Sequence, residues 1–197
     1  MRKLILQEFM SVDGFCADRD KTTGFFDGTY NSLEKDVDAS LGVLIDSIDL
    51  ILLGTNTYKM FAQYWPNATD DDPKITAAMN SIPKIVFSSS LKEVPWGSHG
   101  NISLVTDDAV TYIQSLKEGN GKNMILWGSL SLAQSLLQAN LVDEIQLVVA
   151  PVAIGKGYRL FPEQDKLFPL RLRESKTFSE GTMLHIYEPG STKGDTA

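Results

Sequence analysis

The apolar positions of this chain fall into two rhythms. Unbroken short runs predict strands buried on both faces: Leu4 to Met10, Leu50 to Leu53, Ile85 to Phe87, Ile102 to Val105, Met124 to Trp127 and Ile145 to Ala150. Between them the apolar residues recur at threes and fours. Val37, Leu41, Leu44, Ile45 and Ile48 do so within Asp36 to Ile48, and Leu130, Ala133, Leu136, Leu137 and Leu141 do so after Trp127. That spacing lines one face of an α-helix. Thr106-Asp107-Asp108, ahead of Val110, Ile113 and Leu116, reads as a helix N-terminus, because short acceptors and acidic groups suit the exposed amides there. Strand–helix alternation requires crossover connections and so a largely parallel sheet. The end of the chain changes pattern. Leu170 to Phe178 and Thr182 to Tyr187 flank Ser179-Glu180-Gly181, a hairpin signal with Gly in the turn.

The expectation is an α/β (αβα) fold: a mixed, mostly parallel sheet with a C-terminal antiparallel hairpin and helices on both faces. No internal repeat or linker divides it, so residues 1–189 read as one domain, and the small polar stretch Gly190 to Ala197 as a disordered tail. Two connections are longer than joining needs. Asp18 to Ser32 holds Gly24, Phe25, Phe26, Gly28 and Tyr30, an aromatic loop suited to closing over a ligand. Pro66 to Pro73 holds Asp70-Asp71-Asp72, for which a solvated loop is favoured over a calcium site because no EF-hand spacing accompanies it.

Composition removes several function classes. The formal charge of −7 argues against a nucleic-acid partner. One cysteine, Cys16, and two histidines, His99 and His185, leave no disulfide framework and no expected metal site. The apolar run after Met1-Arg2-Lys3 is broken at Gln7 and Glu8, too short for a secretory core, and no run approaches a membrane span. The expected location is the cytoplasm.

Candidate chemistry gathers at strand ends. Met124-Ile125-Leu126-Trp127-Gly128-Ser129-Leu130 is a buried strand running through Gly-Ser into a helix. Such a junction lets an anion approach the backbone and the first helical amides. The competing reading is a short turn with Ser129 as N-cap. Leu50 to Leu53 runs likewise into Gly54, Thr55, Asn56 and Thr57, and Val86-Phe87 into Ser88, Ser89 and Ser90. Each is explained by capping alone, yet three together fit the rule that ligands bind beyond the carboxyl ends of parallel strands. The first strand leads into Ser11-Val12-Asp13-Gly14, where Asp13 is either a turn residue or a substrate-side group. Asp38 lies beside the apolar stripe of the first helix, facing solvent or, in a cleft, able to protonate or orient a substrate. No Ser/His/Asp triad is recognisable, and Cys16 reads as a packed small residue.

These motifs, in this order, resemble the reductase domain of riboflavin biosynthesis and its relative dihydrofolate reductase. Ser11-Val12-Asp13-Gly14 is similar to that family's S-x-D-G, and Leu53-Gly54-Thr55-Asn56-Thr57-Tyr58 to its G-R-x-T-[YW] turn. Lys84 to Ser89 resembles the strand ending in serines, and Trp127-Gly128-Ser129 the double-glycine turn. Leu141-Val142-Asp143-Glu144 and the stretch from Pro151 through Gly155 and Gly157 to Leu160-Phe161 complete the series. The resemblance implies a dihydrofolate-reductase-like fold, NADPH as hydride donor, a small-molecule substrate and often a homodimer.

Carried over by position, Gly54, Thr55, Asn56, Thr57, Gly128, Ser129 and Leu130 would meet the cofactor phosphates. Ser88 and Ser89 would lie near the ribose and its 2′-phosphate, Cys16 and Ala17 would flank the nicotinamide with the first strand and its turn, and Trp127, at the head of the stretch matching the double-glycine turn, would also bind the cofactor. Asp13 and, after it, Asp38 would act on the substrate. Two departures stand out. Thr55 replaces the family's usual Arg, removing a bidentate phosphate partner, so NADH is not excluded, with Lys59, Lys84 or Lys92 as possible replacements. Ser129 replaces the second glycine of the double-glycine turn, as in stand-alone family members whose substrates need not be the riboflavin intermediate. The implied reaction is hydride transfer to a C=N or C=O bond of a heterocyclic or sugar-linked substrate, the alternatives being a pterin or dihydrofolate reductase, or a non-catalytic nucleotide-binding module.

Overall fold

The computed structural model describes residues 1–26, 35–69, 72–161 and 167–190. Gly28, Tyr30, Asp70, Asp71 and the tail after Gly190 lie outside the described residues. Eight strands form one sheet: β1 (Leu4–Ser11), β2 (Ile48–Gly54), β3 (Lys84–Phe87), β4 (Ile102–Val105), β5 (Asn123–Trp127), β6 (Glu144–Ala150), β7 (Leu170–Thr177) and β8 (Met183–Pro189). Their order is β4-β3-β2-β5-β1-β6-β8-β7. The first six are mutually parallel, while β8 runs antiparallel to both β6 and β7. Five helices connect them: α1 (Lys35–Asp46), α2 (Thr55–Tyr64), α3 (Pro73–Ser81), α4 (Ala109–Glu118) and α5 (Leu130–Gln138).

Strand alternation divides the core into two faces. Leu4, Leu6 and Met10 of β1 pack with Leu126 of β5 against Ile113 of α4 and Leu136 of α5. Ile5 of β1 packs with Ile51, Ile125 and Trp127 against Ile45 of α1, Tyr58 of α2 and Met79 of α3. The helices therefore cover both faces, α4 and α5 on one and α1 to α3 on the other.

The sheet order creates a crevice. β5 lies between β2 and β1. After β2 the chain crosses to the α1–α3 face, but after the neighbouring β5 it crosses to the α4–α5 face. Adjacent strand ends whose chains leave in opposite directions open a cleft at the carboxyl edge of the sheet. Gly54 ends β2 and Gly128 follows β5, so both glycine turns border that cleft.

Several expectations are corrected. The first helix stops at Asp46, and Ile48 already belongs to β2, 3% exposed. α3 was not anticipated, because Pro73 and the polar residues before it read as loop. Asp72 instead caps this helix, accepting from the amides of Lys74 and Ile75 at 2.8 and 3.2 Å. β4 is an edge strand whose Ser103 is exposed, not a strand buried on both faces. The hairpin turn forms as read, with the Phe178 amide donating to the Thr182 carbonyl and Gly181 at φ +91°.

Candidate functional site

The crevice is closed at its base by a hydroxyl network. The amide of Gly54 donates to Ser129 Oγ at 2.7 Å, the amide of Ser129 donates to Thr57 Oγ1 at 2.9 Å, and the two hydroxyls lie 3.1 Å apart. Gly128 and Ser129 both adopt left-handed backbone, φ +54° and +63°. A Cβ on Gly128 would stand 2.9 Å from Thr57 Oγ1, and one on Gly54 would stand 3.1 Å from the Ser129 side chain. Glycine is thus required at the first position by conformation and by close approach alike. Ser129 occupies the N-cap position of α5 but its side chain does not cap the helix. The capping explanation of Ser129 fails, since its hydroxyl serves the neighbouring turn instead. Gly54 likewise leaves α2 without a side-chain cap.

The end of β3 joins this edge. Thr55 Oγ1 donates to Ser88 Oγ at 2.8 Å, and Ser88 Oγ also accepts from the amides of Ser90 and Leu91, both at 3.2 Å. Asn56 and Ser89 are exposed, and Leu130 is half-buried at the start of α5. The three polar strand ends, separate in the sequence, therefore form one continuous rim across β3, β2 and β5. Lys84 cannot serve this rim. It begins β3, at the opposite end from Ser88, and is buried with its amine over the Trp96 ring, donating to the Ile82 carbonyl. Lys59 and Lys92 are exposed.

β1 supplies the other side. Ser11 Oγ donates to Asp13 Oδ1 at 2.6 Å, while the amides of Ile154 and Gly155 donate to the two Asp13 oxygens at 3.2 and 2.7 Å. These donors, the Ser11 hydroxyl first, hold the Asp13 carboxyl below its ordinary pKa. In this geometry Asp13 fastens the segment after β6 to the end of β1. Ala17 pairs with Tyr158 in the same segment, and a Cβ on Gly157 would stand 2.0 Å from the Ala17 carbonyl oxygen. Cys16 is buried within the core, and burial with Glu8 nearby pushes its thiol pKa up. Arg159 stacks over Phe15 at 4.0 Å and donates to the Asp13 carbonyl.

On the α1 face, Trp127 donates its indole N–H to Gln7 Oε1 at 2.7 Å. Gln7 donates to Gln146 at 2.8 Å, and Gln146 to Glu144 at 2.7 Å. Asp38 is half-buried in α1, next to Val37, which packs with Phe9 and Phe26. Phe61 of α2 approaches Trp127, with ring centroids 6.4 Å apart. Trp65 joins this aromatic group through Phe61, whereas Tyr64 is 51% exposed. The sequence reading took Gln7 and Glu8 only as the break in an apolar run. Two polar residues inside an otherwise buried strand were the signal it passed over.

Among the described residues no group of three or more His, Cys, Asp and Glu side chains is placed to hold a metal, and no helix is long and apolar enough to cross a membrane. The site suits an anionic, phosphate-bearing ligand: two helix N-termini without side-chain caps, glycine at the closest approach, and hydroxyls along the rim.

Known proteins share this fold. An uncharacterized protein of Bacillus subtilis, YyaP, is 27% identical over 188 residues, covering 94% of both chains. A protein of Shewanella sp. PV-4, provisionally assigned to riboflavin biosynthesis, has the same fold, with a TM-score of 0.76, 23% identity, and coverage of 96% of this chain and 99% of that one. Dihydrofolate reductase from Enterococcus faecalis, complexed with NADP(H), shares the fold at a TM-score of 0.62 and 13% identity, covering 96% and 97% of the two chains. The RibD C-terminal domain family matches residues 2–184, and the chain belongs to that family.

Proposed function

We propose that this protein is an NADPH-dependent reductase that transfers a hydride to a C=N or C=O bond of a small heterocyclic or sugar-linked substrate, in the manner of 5-amino-6-(5-phosphoribosylamino)uracil reductase. The observation that carries the reading is the β2/β5 crevice, where α2 and α5 start side by side without side-chain caps. The fold shared with a dihydrofolate reductase complexed with NADP(H) supports the choice of cofactor.

The dinucleotide, when bound, supplies the hydride from its reduced nicotinamide ring. Gly54, Thr55, Asn56 and Thr57 on one side, with Gly128, Ser129 and Leu130 on the other, hold its phosphates. Ser88 and Ser89 lie toward the adenosine end. Phe9, Phe26, Phe61 and Trp127 keep water from the reacting atoms on the α1 face, where a dry pocket favours hydride transfer. Asp38 is the carboxylate assigned to orient the substrate or deliver its proton. Asp13 acts one step back, because its oxygens already accept from Ser11, Ile154 and Gly155 and its lowered pKa makes it a poor acid. The protein is further proposed to act in the cytoplasm as a homodimer, which sedimentation equilibrium tests.

The test is titration of the purified protein with NADPH and, separately, NADH, read by tryptophan fluorescence. Substrate-dependent loss of absorbance at the reduced-nicotinamide band follows, with the ribosylated pyrimidine and dihydrofolate as competing substrates. Binding that favours NADPH, with turnover of the pyrimidine, is the expected result. Equal binding of NADH changes the cofactor, preference for dihydrofolate changes the substrate class, and binding of neither dinucleotide overturns the reading.

A further inference from the structure

β1 carries two consecutive polar side chains that are nearly shut off from solvent, Gln7 at 2% and Glu8 at 3% exposure. They point to opposite faces of the sheet. Gln7 is bonded on both sides, to Trp127 and to Gln146. Glu8 differs. Its Oε1 has no hydrogen-bond partner among the described residues, and burial pushes its pKa up to about 8. A leucine in its place would pack with Leu4, Leu6 and Met10 and leave nothing unsatisfied.

The place of this side chain in the sheet suggests what it meets. Pairing of β1 with β5 ends at Gln7↔Trp127, closed by the Gly128 amide donating to the Gln7 carbonyl. Pairing with β6 continues four residues further, to Ser11↔Ala150. Glu8 therefore stands one residue past the last β5 pair, where β5 has turned away through Gly128 and Ser129 into α5. Beyond Gln7 β1 keeps β6 as its neighbour but loses β5, which leaves a notch in the strand pairing from Glu8 to Ser11, level with the Gly128–Ser129 turn, with the Glu8 side chain on the α4–α5 face of the sheet beside it. Among the described residues, the ionisable groups tied to this spot are the buried Cys16 thiol, whose pKa Glu8 raises, and Arg159, which lowers that of Cys16.

We propose that Glu8 recognises the nicotinamide end of the dinucleotide, its carboxyl group pairing with the ring's carboxamide in the notch between β1 and the Gly128–Ser129 turn. This assignment rests on the reductase reading above. A neutral carboxyl group offers one O–H donor and one carbonyl acceptor side by side, and a primary carboxamide offers the matching acceptor and donor. No bond is made or broken in this pairing. Glutamine keeps both functions, whereas leucine keeps the volume and loses them.

The experiment compares the intact wild-type chain with Glu8→Leu and Glu8→Gln. The probes are NADPH, NADP⁺, its 3-acetylpyridine analogue (a methyl ketone in place of the amide) and 2′,5′-ADP, which is the adenosine half alone. Glu8→Leu is expected to weaken NADPH binding by about tenfold or more, the scale of a buried polar group left unpaired. It leaves 2′,5′-ADP unaffected and no longer distinguishes NADP⁺ from the analogue. Glu8→Gln restores NADPH binding. Thermal melting at or above that of wild type shows that Glu8→Leu is folded. Wild-type NADPH binding weakens as the pH rises past about 8, and that of Glu8→Gln does not. Unchanged NADPH binding by a folded Glu8→Leu, or an equal loss of 2′,5′-ADP binding, overturns the assignment alone. A wild-type protein that binds neither NADPH nor 2′,5′-ADP overturns the reductase reading and this assignment with it.

Discussion

Helices α3 and α4 begin differently from α2 and α5, although all are short helices on the same sheet. Asp72 caps α3 through the amides of Lys74 and Ile75, and Asp108 caps α4 through the amide of Thr111 at 2.8 Å. α2 and α5 have glycine and a left-handed serine at the same position and no side-chain cap. The first pair answers its own exposed amides and is complete. The second pair gives up that local stabilisation, and its polar side chains are used to tie one turn to the other. Uncapped helix starts at a topological switch point are, in open α/β sheets generally, where anionic ligands are met, and the proposed cofactor site uses this pair.

The strongest way to break this contrast is Gly128→Val, which places a branched side chain at φ +54° against Thr57 Oγ1. It is expected to destabilise the protein by about 2–4 kcal/mol and to lower NADPH affinity by about two orders of magnitude. Urea unfolding and fluorescence titration measure the two effects. Thr57→Val is smaller. It removes the acceptor of the Ser129 amide, for a loss of about 1–2 kcal/mol and roughly tenfold in affinity.

The capped pair should respond in the opposite sense. Asp72→Ala and Asp108→Ala are each expected to lower Tm by about 3 °C and to leave NADPH binding unchanged. A loss of binding in either variant would erase the distinction between the pairs. Acid sharpens it further. The Thr111 amide and hydroxyl hold the Asp108 pKa below its ordinary value, so this cap stabilises the fold above the usual carboxylate range and is lost as the pH falls through its lowered pKa. Amide exchange in the first turn of α4 should accelerate there relative to the first turns of α2 and α5, which have no carboxylate cap. The smallest effect is expected of Ser129→Gly. Relief of the left-handed serine, about 1 kcal/mol, offsets a similar loss from its hydroxyl bonds, so stability changes little. A large loss of stability there would show that the Ser129 hydroxyl holds the two turns together more strongly than this geometry suggests.

The regular elements were legible because they follow periodicity. The runs at Leu50, Ile85 and Met124 became strands β2, β3 and β5, and the helix start at Thr106-Asp107-Asp108 became the capped start of α4. α3 was missed because Pro73 hides a favourable first-turn position behind a loop-like composition. The strand-end motifs were legible as parts of one ligand site, but the contacts that join them were not. Ser88, Gly54 and Gly128 stand next to one another only because β5 returns between β2 and β1. Two serines that look alike in sequence differ in role: Ser129 accepts from the Gly54 amide across the crevice, and Ser88 accepts both from Thr55 of the neighbouring turn and from the amides of its own loop.

By itself, then, the sequence determined the α/β class, the parallel core with its closing hairpin, and the residue types from which a phosphate-bearing ligand could be held, because hydrophobic period and turn chemistry are local properties. Only the tertiary structure decided which helix starts are left open, that Asp13 is spent on the loop after β6, that Lys84 is buried over the Trp96 ring, and that Glu8 is buried with an oxygen unpaired among the described residues. Those facts depend on strand order and register, which bring residues more than a hundred positions apart within a few ångströms of each other, and no local pattern encodes them.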